Sequence, residues 1–203
     1  DHFRPLLGGA YYAAFNRNKR GISLDVNKPL GKEAVERLIK QSDILLESFT
    51  PGTMDKLGLG YEVACRLNPK IIYCSISGFG QSGPYSHLPG YDVVAQAMCG
   101  IMMCTGMPDG PPVRIGASWI DVGAGMFTVI GILKALMERL ETGRGKHIDV
   151  SLMDTALLWM SPLIARQSMS GELPARMGTA LAAFSPYQAF RCKNGHVFIG
   201  AST

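Results

Sequence analysis

The hydrophobic and polar positions change rhythm along this chain, and the changes predict strands alternating with helices. Residues 21–26 (GISLDV) read as a short strand, and residues 29–40 carry Leu30, Ala34, Val35, Leu38 and Ile39 at helical spacing. Residues 43–49 (DILLESF) form an apolar run that ends in polar residues, the pattern of a buried parallel strand. Thr50-Pro51-Gly52 makes a turn, and residues 61–67 a short helix that Asn68-Pro69 ends. Residues 70–76 (KIIYCSI) are a further buried strand. Strand, helix, strand, helix, strand implies a parallel sheet with helices on its faces. Ligands on such sheets sit at the carboxyl ends of the strands. Those ends are Asp25-Val26-Asn27, Glu47-Ser48-Phe49 and Ser77-Gly78-Phe79-Gly80.

Beyond residue 76 the rhythm is slower. Residues 77–89 are rich in Gly, Ser and Pro and read as a loop, residues 91–103 as one apolar helix, and residues 105–116 as a second loop. Residues 120–140 form a long helix in which Gly123, Gly125 and Gly131 permit close packing against another backbone. Thr142-Gly143-Arg144-Gly145 stops it. Residues 147–152 alternate as a strand, and residues 154–166 follow as a helix. Residues 168–179 read as a linker, and residues 187–190 and 196–199, joined at Lys193-Asn194-Gly195, as a hairpin. The expected organisation is therefore α/β. A Rossmann-like domain over 1–167 is followed by the linker and by the start of a smaller domain over 180–203. The chain starts at Asp1 without Met and ends at Thr203 just after an apolar run, which reads as a piece of a longer protein.

Composition narrows the class. The 203 residues are enough to bury a sizeable core, and 47% hydrophobic with 18% charged residues excludes a disordered tail, a collagen-like fibre or a coiled coil. A net charge of +4 implies no strong polyanion field. Five cysteines without a CxxC pair (Cys65, Cys74, Cys99, Cys104, Cys192) suggest buried reduced thiols, and neither a zinc ribbon nor a disulfide framework. No uncharged apolar run reaches the length of a membrane span, and no signal peptide is visible, so a cytoplasmic or organellar matrix location is expected.

Asp121 is the leading chemical candidate. It follows a Pro-rich loop and opens the long helix, where free N–H groups and the positive end of the helix dipole stabilise an anion. Its neighbours are small or apolar, which leaves room for a ligand and excludes water. Such a carboxylate is a competent nucleophile toward an activated acyl group; the same position also suits an ordinary first-turn acid. Asp154 is a second such acid, mainly a structural one. The loop Gly78-Phe79-Gly80-Gln81-Ser82-Gly83-Pro84 offers backbone N–H groups to an anion but is neither GxGxxG nor a Walker loop. Asn16-Arg17-Asn18-Lys19-Arg20 reads as a solvated turn or a phosphate contact, with no aromatic interleaving to suggest nucleic acid. Lys56, Arg114 and Arg144-Gly145-Lys146 are isolated cations. The four histidines (His2, His87, His147, His196) lack metal-ligand spacing, and there is no GxSxG nucleophile elbow.

Taken in order, several of these segments resemble one family. They are Asn16-Arg17-Asn18-Lys19-Arg20 with Ser23-Leu24-Asp25, Glu47-Ser48-Phe49-Thr50-Pro51-Gly52 and Leu57-Gly58-Leu59-Gly60-Tyr61. Next come Asn68-Pro69-Lys70 through Ser77-Gly78-Phe79-Gly80, then Gly90-Tyr91-Asp92, Thr142-Gly143-Arg144-Gly145 and Pro186-Tyr187-Gln188-Ala189-Phe190. Over nearly its whole length the chain is similar to the class III (CaiB/BaiF-like) CoA-transferases, which include formyl-CoA and carnitine CoA-transferases. The resemblance implies that Asp121 is the catalytic aspartate, acylated by an acyl-CoA donor to a mixed anhydride and then converted to an aspartyl-CoA thioester. It implies CoA contacts at Leu24, Asn27, Ser48, Phe49, Lys56, Leu57 and Tyr91, and a substrate contact at Tyr11. Ser48 stands where family members often have Asn, and a basic residue near Asn27 is missing. The resemblance further implies acyl-CoA and a small carboxylic acid as substrates, no separate cofactor or metal, no nucleic-acid or membrane partner, and an interlocked homodimer. Related α-methylacyl-CoA racemases carry a Gly-His-Asp segment; Gly90-Tyr91-Asp92 puts a tyrosine there, and a tyrosine hydroxyl is ordinarily a poor base at neutral pH. A racemase or a non-catalytic CoA-binding protein are the remaining alternatives. Pro111-Pro112-Val113-Arg114 and Pro186-Tyr187-Gln188-Ala189-Phe190 look closer to members that use dicarboxylates, with Arg114 as the one nearby cation offered.

Overall fold

A computed structural model describes residues 4–201, the side chains of residues 4–8 excepted. The elements run α1 (Arg4–Phe15), α2 (Pro29–Gln41), β1 (Ile44–Glu47), α3 (Thr53–Lys56), α4 (Tyr61–Leu67) and β2 (Ile72–Ser77). They continue α5 (Asp92–Met98), α6 (Ile101–Cys104), α7 (Trp119–Thr142), β3 (His147–Ser151), α8 (Leu152–Ser170), β4 (Tyr187–Cys192) and β5 (Gly195–Gly200).

β1, β2 and β3 form a parallel three-stranded sheet in that order. β2 is the middle strand and reads as apolar because both of its faces are covered. Ile72 and Cys74 pack with Ala135 of α7 on one face. Ile71 and Tyr73 pack with Ile39 of α2 and Ala64 of α4 on the other. Burial pushes the Cys74 thiol up to about 11 and keeps it protonated. A second cluster joins α5, α7 and α8 through Ala95, Ile120, Ala124, Ala156 and Met160. His147 is a structural residue: its ring stacks on Tyr61 at 4.8 Å, and its Nε2 lies 3.0 Å from the Ser75 hydroxyl. At the far end of the sheet Arg139 of α7 holds the Lys70 carbonyl at 3.0 Å and the Asp43 carboxylate at 2.9 Å.

The α/β order follows the apolar rhythm, with four differences. Residues 21–26 form no strand: the sheet ends at β1 among the described residues, Ile22 is 71% exposed, and Asp25 accepts the Asn27 N–H to turn the chain toward α2. An alternating pattern becomes a strand only beside a neighbour that takes its hydrogen bonds. The single helix expected over 91–103 is two, because Gly100 at φ +90° breaks it between α5 and α6. α8 runs on to Ser170, into the segment expected as linker, and Gly171 at φ +74° ends it. Of the cysteines only Cys74 is fully buried; Cys65, Cys99 and Cys104 are half-buried and Cys192 is exposed. The hairpin β4–β5 forms as a separate antiparallel pair, with all of β5 exposed. His2 lies outside the described residues.

α7 is long and apolar enough, by length and composition alone, to cross a membrane. Here it is the helix against which the sheet and α8 pack. Two of its three marked glycines serve that packing. A Cβ at Gly123 would sit 3.0 Å from Thr155 and Trp159 of α8, and one at Gly131 3.0 Å from Ile148 of β3, while one at Gly125 would meet nothing within 4 Å.

That contrast is testable. Gly123→Val overfills the α7–α8 contact and is expected to lower stability by about 1–3 kcal/mol. Gly125→Ala removes backbone freedom without a clash and is expected to raise stability by up to about 1 kcal/mol. Thermal unfolding of the two variants beside the parent reads both, and equal signs would contradict the packing described.

Candidate functional site

The carboxyl ends of β1 and β2 open on a cleft with the Asp121 carboxylate in its wall. It has a volume of about 450 Å³, in the range of small-molecule sites. Ser48, Phe49, Thr50 and Pro51 after β1, and Ile76, Ser77 and Gly78 at the end of β2, make one side. Leu88 to Tyr91 before α5, Leu152 of α8 and Asp121 of α7 make the other. Glu47, almost wholly buried, folds back so that its Oε2 accepts the Phe49 N–H at 2.8 Å, which fixes the turn out of β1. Gly78 and Gly90 lie so close that a Cβ on either would overlap the other's backbone. That approach brings the loop carrying Tyr91 onto the end of β2. The Ser77 hydroxyl is buried here without a partner.

Asp121 occupies the third position of α7, where an acid ordinarily benefits from the free N–H groups. Those groups are already taken. Asp92, 7% exposed, directs its Oδ2 at the N–H groups of Ile120 (2.8 Å) and Asp121 (3.3 Å). Ser118, the residue in the N-cap position, makes no side-chain cap. The result corrects the expectation that the helix start favours an ionised Asp121. Burial at the cleft wall pushes its carboxyl up, and the Asp92 charge adds to the rise, although Asp121 stays exposed at the mouth. Asp92 is the residue of this arrangement that the sequence reading passed over. Its signal was present: an acid at the start of α5, next to the Tyr91 singled out.

The structure therefore brings Ser48, Phe49, Tyr91 and Asp121 together around one cavity. It does not bring the other expected contacts there. Leu57 packs into the α2–α4 cluster, and Leu24 is half-buried away from the cavity lining. Asn27 bonds to Asp25, Lys56 is exposed at the end of α3, and Tyr11 is 61% exposed on α1, stacked on Phe15. Arg114 donates to the carbonyls of Ile115 and Gly116, and among the described residues no Lys or Arg lines the cavity. Asp154 is a capped first-turn acid, its N–H donated to Ser151 Oγ. No cluster of three or more His, Cys, Asp or Glu fit for a metal occurs among the described residues.

Known proteins resemble this chain over nearly its whole length. A family model described as CoA-transferase family III matches residues 2–203. The chain is 40% identical to an acetyl-CoA:oxalate CoA-transferase of Acetobacter aceti, over 97% of this chain and 54% of that one. It is also 40% identical to a succinyl-CoA:glutarate CoA-transferase of Mus musculus, over 94% of this chain and 44% of the other. A crystal structure of a CAIB/BAIF family protein from Brucella suis superposes with a TM-score of 0.88 at 42% identity, covering 94% of this chain and 50% of that one. The chain thus spans about half the length of the curated relatives it matches.

The raised Asp121 carboxyl has a consequence for stability. An acid whose proton is held more tightly in the folded state destabilises that state once pH rises above its unfolded value, about 3.9 for aspartate. Asp121→Asn is therefore expected to be more stable than the parent at neutral pH. The gain should shrink to nothing as pH falls below the unfolded value. Denaturant melts at both ends of that range check it, and a variant less stable at pH 7 would contradict the placement of charge.

Proposed function

The chain belongs to CoA-transferase family III, and from that membership we propose that it serves transfer of coenzyme A from an acyl-CoA donor to a small carboxylic acid, with Asp121 as the nucleophile. The observation that carries this reading is the open Asp121 carboxylate at the wall of a cavity formed by the ends of two parallel strands. A thioester lying along Ser48, Phe49 and Tyr91 meets that carboxylate. An Asp121 oxygen attacks the acyl carbon, the C–S bond breaks, and CoA leaves as the thiolate with a mixed anhydride left behind. The thiolate then attacks the aspartyl carbonyl, expelling the donor acid and leaving aspartyl-CoA. The acceptor carboxylate attacks that thioester in turn, and the returning thiolate takes the new acyl group and frees Asp121. Each step exchanges groups of similar leaving ability, so one hard exchange is divided into several easier ones. A raised carboxyl favours the role, because a more basic carboxylate is a stronger nucleophile once ionised.

The acceptor we assign is a dicarboxylate. The support is that the relatives described above are named for oxalate and for succinate with glutarate. Arg114 is not the cation for its second carboxylate, since it is committed to neighbouring carbonyls outside the cavity lining. CoA itself is the substrate, and no further cofactor enters this scheme. The reading includes a homodimer. In its support, Val122, Met126, Val129, Leu133, Met137 and Leu140 form an exposed apolar stripe along α7, a surface of the kind that partners cover. No histidine lines the cavity among the described residues, so nothing there favours the racemase alternative.

Incubating the intact protein with succinyl-CoA and other donors, trapping with hydroxylamine and mapping by mass spectrometry tests the nucleophile. A hydroxamate at Asp121 is expected, and Asp121→Ala should lose both the adduct and at least roughly a thousandfold in kcat. Exchange of the α-proton without an adduct would turn the reading to a racemase. Bound CoA with neither would leave a binding protein.

A further inference from the structure

A hydrogen-bonded chain of buried groups lies behind Asp121, and its donors and acceptors fix where the negative charge sits. Gln96 of α5 is fully buried. The Ile115 N–H donates to its Oε1 at 2.9 Å, which sets the orientation of the amide. Its Nε2 is thereby turned to Asp92 and donates to Oδ1. Asp92 Oδ2 accepts from Ile120 and Asp121. Both Asp92 oxygens thus face donors alone. Three donors and no acceptor around its two oxygens are the complement of a carboxylate. Oriented N–H groups and a helix terminus are what a buried carboxylate needs to stay ionised.

Resting on the proposed role of Asp121 as nucleophile, we propose that Asp92 is its positioning residue. Held ionised by Gln96 and by the first N–H groups of α7, it pins the backbone that carries Asp121, and its fixed charge makes the Asp121 carboxylate the more nucleophilic of the two. Asp92 does not line the cavity, so it acts through Asp121 and not on the substrate. The other groups around Asp121 do not compete for that role. Tyr91 lines the same cavity from the start of α5, the cavity residue of α8 is the apolar Leu152, and Arg114 of the preceding loop is bonded to carbonyls. A cap that held the helix without a charge would leave the proton affinity of Asp121 unchanged, and carbodiimide labelling separates the two.

Carbodiimide labels protonated carboxyl groups. The pH dependence of labelling at Asp121, read by mass spectrometry on the intact protein without acyl-CoA, therefore reports its titration directly. In Asp92→Asn the labelling midpoint is expected to move to lower pH. In the same variant kcat should fall by about a hundredfold, with KM for acyl-CoA held. An unmoved midpoint with lost activity would overturn the proposal and leave Asp92 a structural cap. Should Asp92→Asn fail to fold, Gln96→Glu decides. The carboxyl it introduces must carry a proton to donate to an ionised Asp92, so the variant is expected to lose stability as pH rises to neutrality and to regain it toward about pH 5. Parent-like stability at neutral pH would mean that Asp92 supplies the proton itself, and would overturn the fixed charge. The labelling needs no turnover. A shifted midpoint without any hydroxamate at Asp121 would therefore sink the nucleophile role on which this proposal rests and leave only the charge coupling of the two carboxyls. An unmoved midpoint with the hydroxamate present would sink this proposal alone.

Discussion

The N-terminus of α7 needs an acceptor for its first N–H groups, and the acceptor comes from another helix. Asp92 of α5 takes the N–H groups of Ile120 and Asp121, while the local cap residue Ser118 contributes no side-chain bond. Hydrogen bonds to a charged acceptor contribute about 1.5–3 kcal/mol each, whereas a buried carboxylate without partners costs several. The interaction therefore holds only while all its members are in place. It ties α5 to α7, and through Gln96 and Ile115 it also ties down the loop between them. The position of Asp121 follows from that constraint.

The same interaction gives the two carboxylates different tasks. Asp92 is buried with every oxygen matched by a donor; Asp121, whose backbone N–H it accepts, is open at the cavity mouth and shares the field of its neighbour. Two like charges in one site push their proton affinities apart. The one at the cleft wall becomes the more basic, through burial first and its neighbour's charge second. A helix N-terminus seen alone argues for a depressed Asp121; burial at the cleft wall, with the charge brought from α5 added to it, reverses the sign.

Much of the fold was legible from local pattern. α4 begins and ends as its apolar spacing and Asn68-Pro69 demanded, β1 and β2 lie where apolar runs placed them, and β3 where alternation did. The rule that ligands meet the carboxyl ends of parallel strands points to Ser48 and Phe49; grouping Asp121 of α7 with them came from the family resemblance. What escaped depends on partners remote in sequence. Residues 21–26 alternate like a strand but have no neighbour to pair with, and Gly100 divides an apolar stretch that is helical on either side. Asp92 looks like an ordinary first-turn acid until α7 is seen to end on it. Lys56 and Arg114 were singled out for charge and for resemblance, and neither says which way a side chain turns.

Helical geometry joins the cavity to the outer surface of α7. Successive residues turn by about 100°, so Ile120 facing the core sends Asp121 to the side and Val122 outward. The burial follows that order: Ile120 is fully buried, Asp121 lines the cavity, and Val122 is 48% exposed at the head of the apolar stripe. A partner laid on that stripe would also border the rim beside Asp121. Covering it removes apolar surface from water and strips more water from the neighbouring carboxylate, and both effects act on the same two turns of helix. The apolar stripe and the nucleophile are thus not separate features of the sequence. They are adjacent faces of one helix whose start is fixed by Asp92.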